Sequence, residues 1–361
     1  MSRFLPRVTR ATSTTSTTRV VRTTAAVLAA CSLALTGCSG DGEDAESTTG
    51  SQEASLVGAG EMLGDTFDLQ AHRGGRGEWT ENSSGAFSEA LMAGVTTLEL
   101  DVVVSADGVP VVWHDPEIDP EKCEDTQPVT EGDEQFPYVG KLVHELTYEQ
   151  LQTLNCNKQL EDFPDAEHPH ANSLIRLEDV FDVAAGEPEV HFNIETKIEA
   201  EEPEKSASPQ EFVDAIVPVL QERDVVDRAT VQSFDWRSLP LIHEAEPKLM
   251  TVVLWDDTTW KPDSVWTGDV DYDAVDGDIT QAAAQLNAGV LSPDYELVDE
   301  DLIARAHASG LPVIPWTVNE ASDMQKMIDL GVDGIITDYP TRLKGILDER
   351  GITYLPGEAR Q

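Results

Sequence analysis

The chain has 361 residues, with 24 basic and 68 acidic side chains and a formal charge of −44 at pH 7. A field of that sign repels nucleic acid and anionic lipid headgroups, so neither is an expected partner. It reads as a solvated acidic surface suited to a salty or cell-wall setting, and any anionic substrate then needs a local concentration of positive charge.

Residues 1–24 carry Arg3, Arg7, Arg10, Arg19 and Arg22 and no acid, and residues 25–35 form a short apolar run ending in Leu35-Thr36-Gly37-Cys38. Basic flanks, a run too short to span a bilayer and small residues at its end make residues 1–38 a secretory signal. The four-residue ending resembles the bacterial lipobox, which implies that Cys38 becomes the lipidated first residue; plain secretion is the alternative. Residues 39–60, rich in Ser, Gly, Glu and Thr, are expected to be a flexible linker. The expected location is therefore the outer face of the cell membrane, held by a lipid anchor. Without the signal, 19 basic side chains face 68 acidic ones, a formal charge of −49.

Beyond residue 66 the chain alternates between strand-like and helix-like runs. Apolar segments occur at 67–71, 97–104, 190–194, 229–234, 249–254, 289–291, 311–318 and 334–337. Helical periodicity lies between most of them, at 83–93, 174–185, 209–222, 236–244, 299–309, 321–330 and 340–349. Eight strands separated by helices fit a single (β/α)8 TIM barrel over residues 67–347, in which the C-terminal strand ends build the active site. His72, Asp101, Glu195, Phe234, Trp316 and Asp338 fall at such ends.

An extra strand follows the second run. Val102-Val103-Val104 and the residues 109–113 flank Asp107-Gly108, the preferred pair of a two-residue hairpin turn. That turn pairs residues whose numbers sum to 215, placing Asp101 opposite His114 at roughly 5 Å between Cβ atoms. Glu99 shares the face of Asp101, because strand side chains alternate.

Residues 116–172 show little periodicity and read as an insertion. Cys31 lies in the signal and Cys38 at its end, which leaves Cys123 and Cys156. Two thiols in an exported domain suggest a disulfide closing that insertion, and no neighbouring ligand at the usual spacing argues for zinc. His168 and His170, with Asp165 and Glu167, could hold a cation, although exposed loop polarity accounts for them as well.

Taken in order, His72-Arg73-Gly74, Glu99-Leu100-Asp101, His114-Asp115 and Glu195-Thr196-Lys197 resemble the glycerophosphodiester phosphodiesterase family, whose members are TIM barrels. Later segments, Gln232-Ser233-Phe234-Asp235, Trp316-Thr317-Val318-Asn319 and residues 331–340, resemble it too, and Thr80-Glu81-Asn82-Ser83 stands where a Pro-Glu-Asn-Thr element is usual. The resemblance implies hydrolysis of glycerophosphodiesters to glycerol 3-phosphate and an alcohol. His72 and His114 would be the general acid and base; Glu99, Asp101 and Glu195 would hold one divalent cation, Ca²⁺ or Mg²⁺. Arg73 would bind phosphate, Lys197 phosphate or glycerol oxygens, and Trp316 would line the glycerol pocket.

The residue types suit that chemistry on their own account. A phosphodiester resists attack until its negative charge is neutralised and its leaving alkoxide protonated. Carboxylates favour hard cations, and imidazole exchanges protons near neutrality. Two other readings remain: a phospholipase D-like or phosphoinositide phospholipase C-like enzyme acting on intact lipid, and a non-catalytic envelope binding lipoprotein on a degenerate barrel. The first needs an apolar rim, and the second the loss of a histidine or a carboxylate, none of which is lost.

Overall fold

The computed structural model describes residues 66–354 of the chain. The expected signal with its lipobox, Cys38 and the expected linker lie outside the described residues. Eight strands are present among those described: β1 (Asp68–Ala71), β2 (Thr97–Val104), β3 (Pro110–Val112), β4 (His191–Thr196), β5 (Ala229–Ser233), β6 (Met250–Trp255), β7 (Val290–Pro293) and β8 (Gly334–Thr337). They hydrogen-bond in the order β7-β6-β5-β4-β2-β1-β8, all parallel, with β3 antiparallel on β2.

The run 311–318 closes the barrel without forming a regular strand. Pro312 and Pro315 lack the N–H that a ladder needs, but their carbonyls still accept, from Leu291 at 3.0 Å and Ile336 at 3.0 Å. Ile314 and Trp316 donate to Leu291 and Pro293 of β7, and Val318 donates to Ile336 of β8. The ring of eight staves is thus complete, a (β/α)8 barrel with a hairpin strand added.

The helices are α1 (Ser84–Ala93), α2 (Tyr148–Leu151), α3 (Leu177–Val183), α4 (Pro209–Glu222), α5 (Ser238–Ala245), α6 (Ile279–Leu286), α7 (Glu300–Ala308), α8 (Ala321–Leu330) and α9 (Pro340–Arg350); all but α2, which belongs to the insertion, form the outer layer. Start signals are local: Ser83 caps α1, and Ser208 with Glu211 forms a capping box on α4. Helix α4 then presents Phe212, Val213, Ile216 and Leu220 to the sheet, all buried. Helix α6 had no expected counterpart, because its Thr280-Gln281-Ala282-Ala283-Ala284 stretch is short of large apolar residues. The core between helices and sheet is a continuous buried apolar cluster, whereas the barrel interior is apolar only around Val252, Val290, Ile314 and Ile336.

The hairpin differs from expectation by one residue. Val102 pairs with Val112, Val103 with Val111 and Val104 with Pro110, so partner numbers sum to 214. The loop holds three residues, Ala106, Asp107 and Gly108; Gly108 takes the left-handed conformation (φ 78°) and its N–H closes the turn on Ser105 at 3.0 Å. Asp101 therefore faces Trp113, whose N–H donates to the Asp101 carbonyl at 3.1 Å, and not His114. His114 lies two residues past the end of β3, and it is this departure from the strand that brings it near Asp101.

The insertion has a core of its own. Trp113, Ile118, Tyr138, Val143, Leu146, Leu151, Leu154 and Leu174 are buried together around Cys123 and Cys156, which form a disulfide. The bridge spans a sequence separation of 33, which in the chain-entropy view stabilises the folded state by about 4 kcal/mol.

Candidate active site

The turn after β1 sets the geometry. Arg73 is left-handed (φ 52°) without being glycine, and Gly74 and Gly75 follow with φ 81° and 94°. This non-glycine outlier aims the Arg73 N–H at Glu99 Oε2, 2.8 Å away. Gly74 is sterically required as well, since a Cβ there would stand 2.8 Å from the Ala86 Cβ. Asn82 is also left-handed (φ 51°); its N–H donates to the Arg73 carbonyl at 2.9 Å and its side chain to Asp101 Oδ2 at 2.8 Å.

Strands β2 and β4 bring the three expected metal carboxylates together. Asp101 pairs in register with Glu195, and Glu99 precedes Asp101 by two residues on the same face. Oxygens of Glu99, Asp101 and Glu195 all lie within 4.8 Å of one another, and all three residues are buried. Burial, then the neighbouring Asp101 and Glu195, push the Glu99 carboxyl well above the usual carboxylate range. Burial pushes Asp101 up too, but Arg73, His114 and Lys197 outweigh it and hold Asp101 far below that range. Asp101 Oδ1 has no hydrogen-bond partner, a costly state for a buried oxygen. Three hard, buried, mutually repelling carboxylates with an orphaned oxygen fit a divalent cation. His168 and His170 are exposed, and among the described residues they join no such group.

Glu99 is held from below by a chain of amides. Gln232 Nε2 donates to Glu99 Oε1 at 2.9 Å, Asn193 donates to both Gln232 and Gln70 at 2.9 Å, and Gln70 donates to Asp68 at 2.7 Å.

The two histidines have matching supports. His72 Nδ1 lies 2.5 Å from Asp338 Oδ1, and His114 Nδ1 lies 2.7 Å from Asp115 Oδ1. An ionised carboxylate only accepts, so each Nδ1 carries the proton and each Nε2 is left to meet a substrate. Burial first, then Lys197 and Arg73, push His114 down to about 4, so its imidazole is neutral at pH 7. Asn319 fixes Asp338 in turn, donating to Oδ2 at 2.7 Å and accepting the Asp338 N–H at 3.0 Å.

The cations interleave with these acids. Arg73 Nε stands 3.0 Å from Asp101 and its Nη1 3.3 Å from Glu81; Lys197 Nζ is 2.6 Å from Glu195 and 3.9 Å from Asp101. Glu81 also meets Arg76 at 2.9 Å and Lys122 at 2.8 Å, and Lys122 reaches Asp115 at 2.5 Å. Trp316 is half-buried at the barrel mouth, its ring edge-on to Phe234 at 5.3 Å and its indole N–H on the Ser292 carbonyl at 3.0 Å.

Residues 72–342 match the glycerophosphoryl diester phosphodiesterase family. The chain belongs to this family. Within it, the chain is similar to a Bacillus altitudinis glycerophosphodiester phosphodiesterase, 28% identical over 77% of this chain and 97% of the relative. A solved glycerophosphoryl diester phosphodiesterase from Silicibacter pomeroyi is 30% identical over 81% of this chain and 98% of its own, with a TM-score of 0.69. The barrel is also shared with an Oleispira antarctica phosphodiesterase solved with sn-glycerol-3-phosphate, at 20% identity, 78% and 96% coverage and a TM-score of 0.58.

The sequence alone assigns no role to Asp338, Asp115, Asn319, Gln232 or Lys122. The first four lie in or beside family segments that the sequence does display: Gln232 within β5, Asp338 one residue past β8, Asp115 three past β3, and Asn319 just after the run 311–318. Lys122, inside the aperiodic insertion, carries no signal except its place next to Cys123.

Proposed function

We propose that this family member hydrolyses glycerophosphodiesters to glycerol 3-phosphate and an alcohol, with one divalent cation, Ca²⁺ or Mg²⁺, and with His72 and His114 as the acid and base. The observation that carries the reading is the pair of carboxylate-held imidazoles, both close enough to Asp101 to lower its carboxyl, around a buried three-carboxylate cluster. Glu99, Asp101 and Glu195 would hold the cation, which supplies charge neutralisation and polarises a phosphoryl oxygen.

The chain's own groups do the rest. Arg73 and Lys197 bring positive charge to the phosphate, while Glu81 and Asp101 keep Arg73 in place. One imidazole takes a proton from the nucleophile at Nε2, and the other returns one to the leaving oxygen. The base begins neutral and ends as imidazolium, whereas the acid begins as imidazolium and ends neutral; the Asp338 and Asp115 carboxylates at Nδ1 stabilise the charged form of each ring. Among the described residues the large exposed apolar side chains, Met92, Val265 and Leu297, lie on separate segments, so no apolar rim supports action on intact lipid.

The test is turnover of glycerophosphocholine, glycerophosphoethanolamine and glycerophosphoglycerol by the full chain, against intact phospholipids, with and without chelator. Chelator-sensitive release of glycerol 3-phosphate from the soluble diesters is expected. No release, or release indifferent to chelator, overturns the assignment. For location we propose lipid anchoring through Cys38: the Cys38→Ala protein should leave the membrane fraction or remain unprocessed, and normal retention with the signal removed refutes it.

A further inference from the structure

The cleft between the barrel mouth and the disulfide-closed insertion carries a composition that phosphodiester cleavage does not itself require. Arg76, Lys122 and Lys158 line it together with Trp79, Trp113 and Phe163, and Glu81 contributes to the same wall. Three cations in one cleft stand out in a chain of charge −44. Glu81 offsets only one unit of this charge, its two oxygens being shared among Arg73, Arg76 and Lys122, and Asp115 offsets a second at Lys122. An ammonium has three N–H groups; Lys122 commits two, to Glu81 and Asp115, and one remains for a ligand.

The aromatic rings do not offer an open cage for a quaternary ammonium. The Arg76 guanidinium stands over Phe163 at 4.6 Å, and Lys122 Nζ lies 5.2 Å from the Trp113 ring centre. The π-faces that would bind an external cation are occupied by the protein's own. The exposed acids Glu161, Asp162 and Asp165 of the same loop are screened by solvent, whereas the Lys122 side chain is only 13% exposed.

The cleft also adjoins both catalytic histidines. Lys122 binds Asp115, the partner of His114, and Arg76 helps to hold down Asp338, the partner of His72. The wall thus stands beside the groups that would flank the phosphate of a bound diester.

We propose that the insertion cleft is the subsite for the alcohol half of the diester, and that it selects alcohols carrying an additional negative charge, a carboxylate or a second phosphate. The proposal rests on the phosphodiesterase reading above. Lys122 is its specificity-determining residue, with Lys158 at the outer edge.

Two substrate pairs isolate that charge: glycerophosphoserine against glycerophosphoethanolamine, which differ by one carboxylate, and glycerophosphoglycerol with and without a second phosphate. The readout is the ratio of kcat/KM within each pair for the parent, Lys122→Gln and Lys158→Ala proteins. A charge-assisted hydrogen bond corresponds to a preference of about tenfold for the charged member, which Lys122→Gln should abolish. Lys158→Ala, removing an exposed charge, should lower the ratio about two- to threefold, and more at low salt than at high. Preference in one pair alone supports the subsite and assigns the anion as carboxylate or phosphate. Equal turnover within both pairs, or a preference that survives Lys122→Gln, overturns the subsite and leaves the phosphodiesterase reading standing. Failure to cleave any of the four diesters overturns both.

Discussion

Replacing Asp338 by Asn removes one charge and no volume, and the structure specifies what happens next. Asn319 is fixed in orientation, because its Oδ1 accepts the Asp338 N–H at 3.0 Å, so its Nδ2 must point at position 338 Oδ2, 2.7 Å away. An asparagine at 338 then has to place its carbonyl toward Asn319 and its NH₂ toward His72 Nδ1. A donor facing Nδ1 forces that nitrogen to accept, and the His72 proton moves to Nε2. The imidazole keeps its position but presents the wrong tautomer to the substrate. Where a histidine is inverted in this way in a catalytic triad, the loss in kcat is on the order of 10⁴-fold. With the 1.36 kcal/mol that each tenfold represents, that is about 5 kcal/mol of transition-state stabilisation. The assay is kcat and kcat/KM for Asp338→Asn on a glycerophosphodiester, with cation affinity by calorimetry and the unfolding midpoint as controls. Cation affinity should hardly change, since Asp338 is not one of the three clustered carboxylates. Turnover within threefold of the parent, in a folded protein, would show that the Asp338 contact does not set the tautomer.

Asp101→Asn should weaken divalent cation binding and be partly rescued by excess ion, because Asp101 supplies both charge and an Oδ1 with no hydrogen-bond partner; unchanged affinity by calorimetry removes it from the ligand set. His114→Ala should bind the cation normally and lose about 10²- to 10⁴-fold in turnover, with no rescue by added ion; parent-like turnover reopens the acid and base assignment. Glu81 is held down to about 2 against its burial by Arg73, Lys122 and Arg76. A carboxylate depressed on folding contributes stability that is fully present above its unfolded pKa and lost as pH falls through the folded one. Here that is about 3 kcal/mol disappearing between roughly pH 4.5 and pH 2. The gap in unfolding midpoint between the parent and Glu81→Gln should therefore narrow over that window, and a gap constant with pH refutes the coupling.

The order of barrel elements was legible in the chain because strand alternation, apolar runs and capping residues act over a few positions. That range placed Glu99 and Asp101 on one face of β2 and put His72, Glu195 and Asp338 at strand ends. It also anticipated the Cys123–Cys156 bridge, from export and cysteine count alone. The hairpin marks the limit of local reasoning: Asp107-Gly108 signals a turn, but whether two or three residues form it depends on Ser105 closing onto Gly108, and that one residue puts Trp113 rather than His114 opposite Asp101 in the ladder. The run 311–318 likewise looked like a strand until its two prolines had to share a ladder.

What only the tertiary structure decided is which distant groups meet. Asp101 and Glu195 stand in register because β2 and β4 are neighbours, with the whole insertion between them in sequence. His72 finds Asp338 across 266 positions because the barrel closes β8 against β1. Lys122 reaches Glu81 and Asp115 from a segment with no periodicity, positioned by a small buried cluster and a disulfide. Such pairings are set by barrel closure and packing, whose energies depend on contacts that no short window of residues contains.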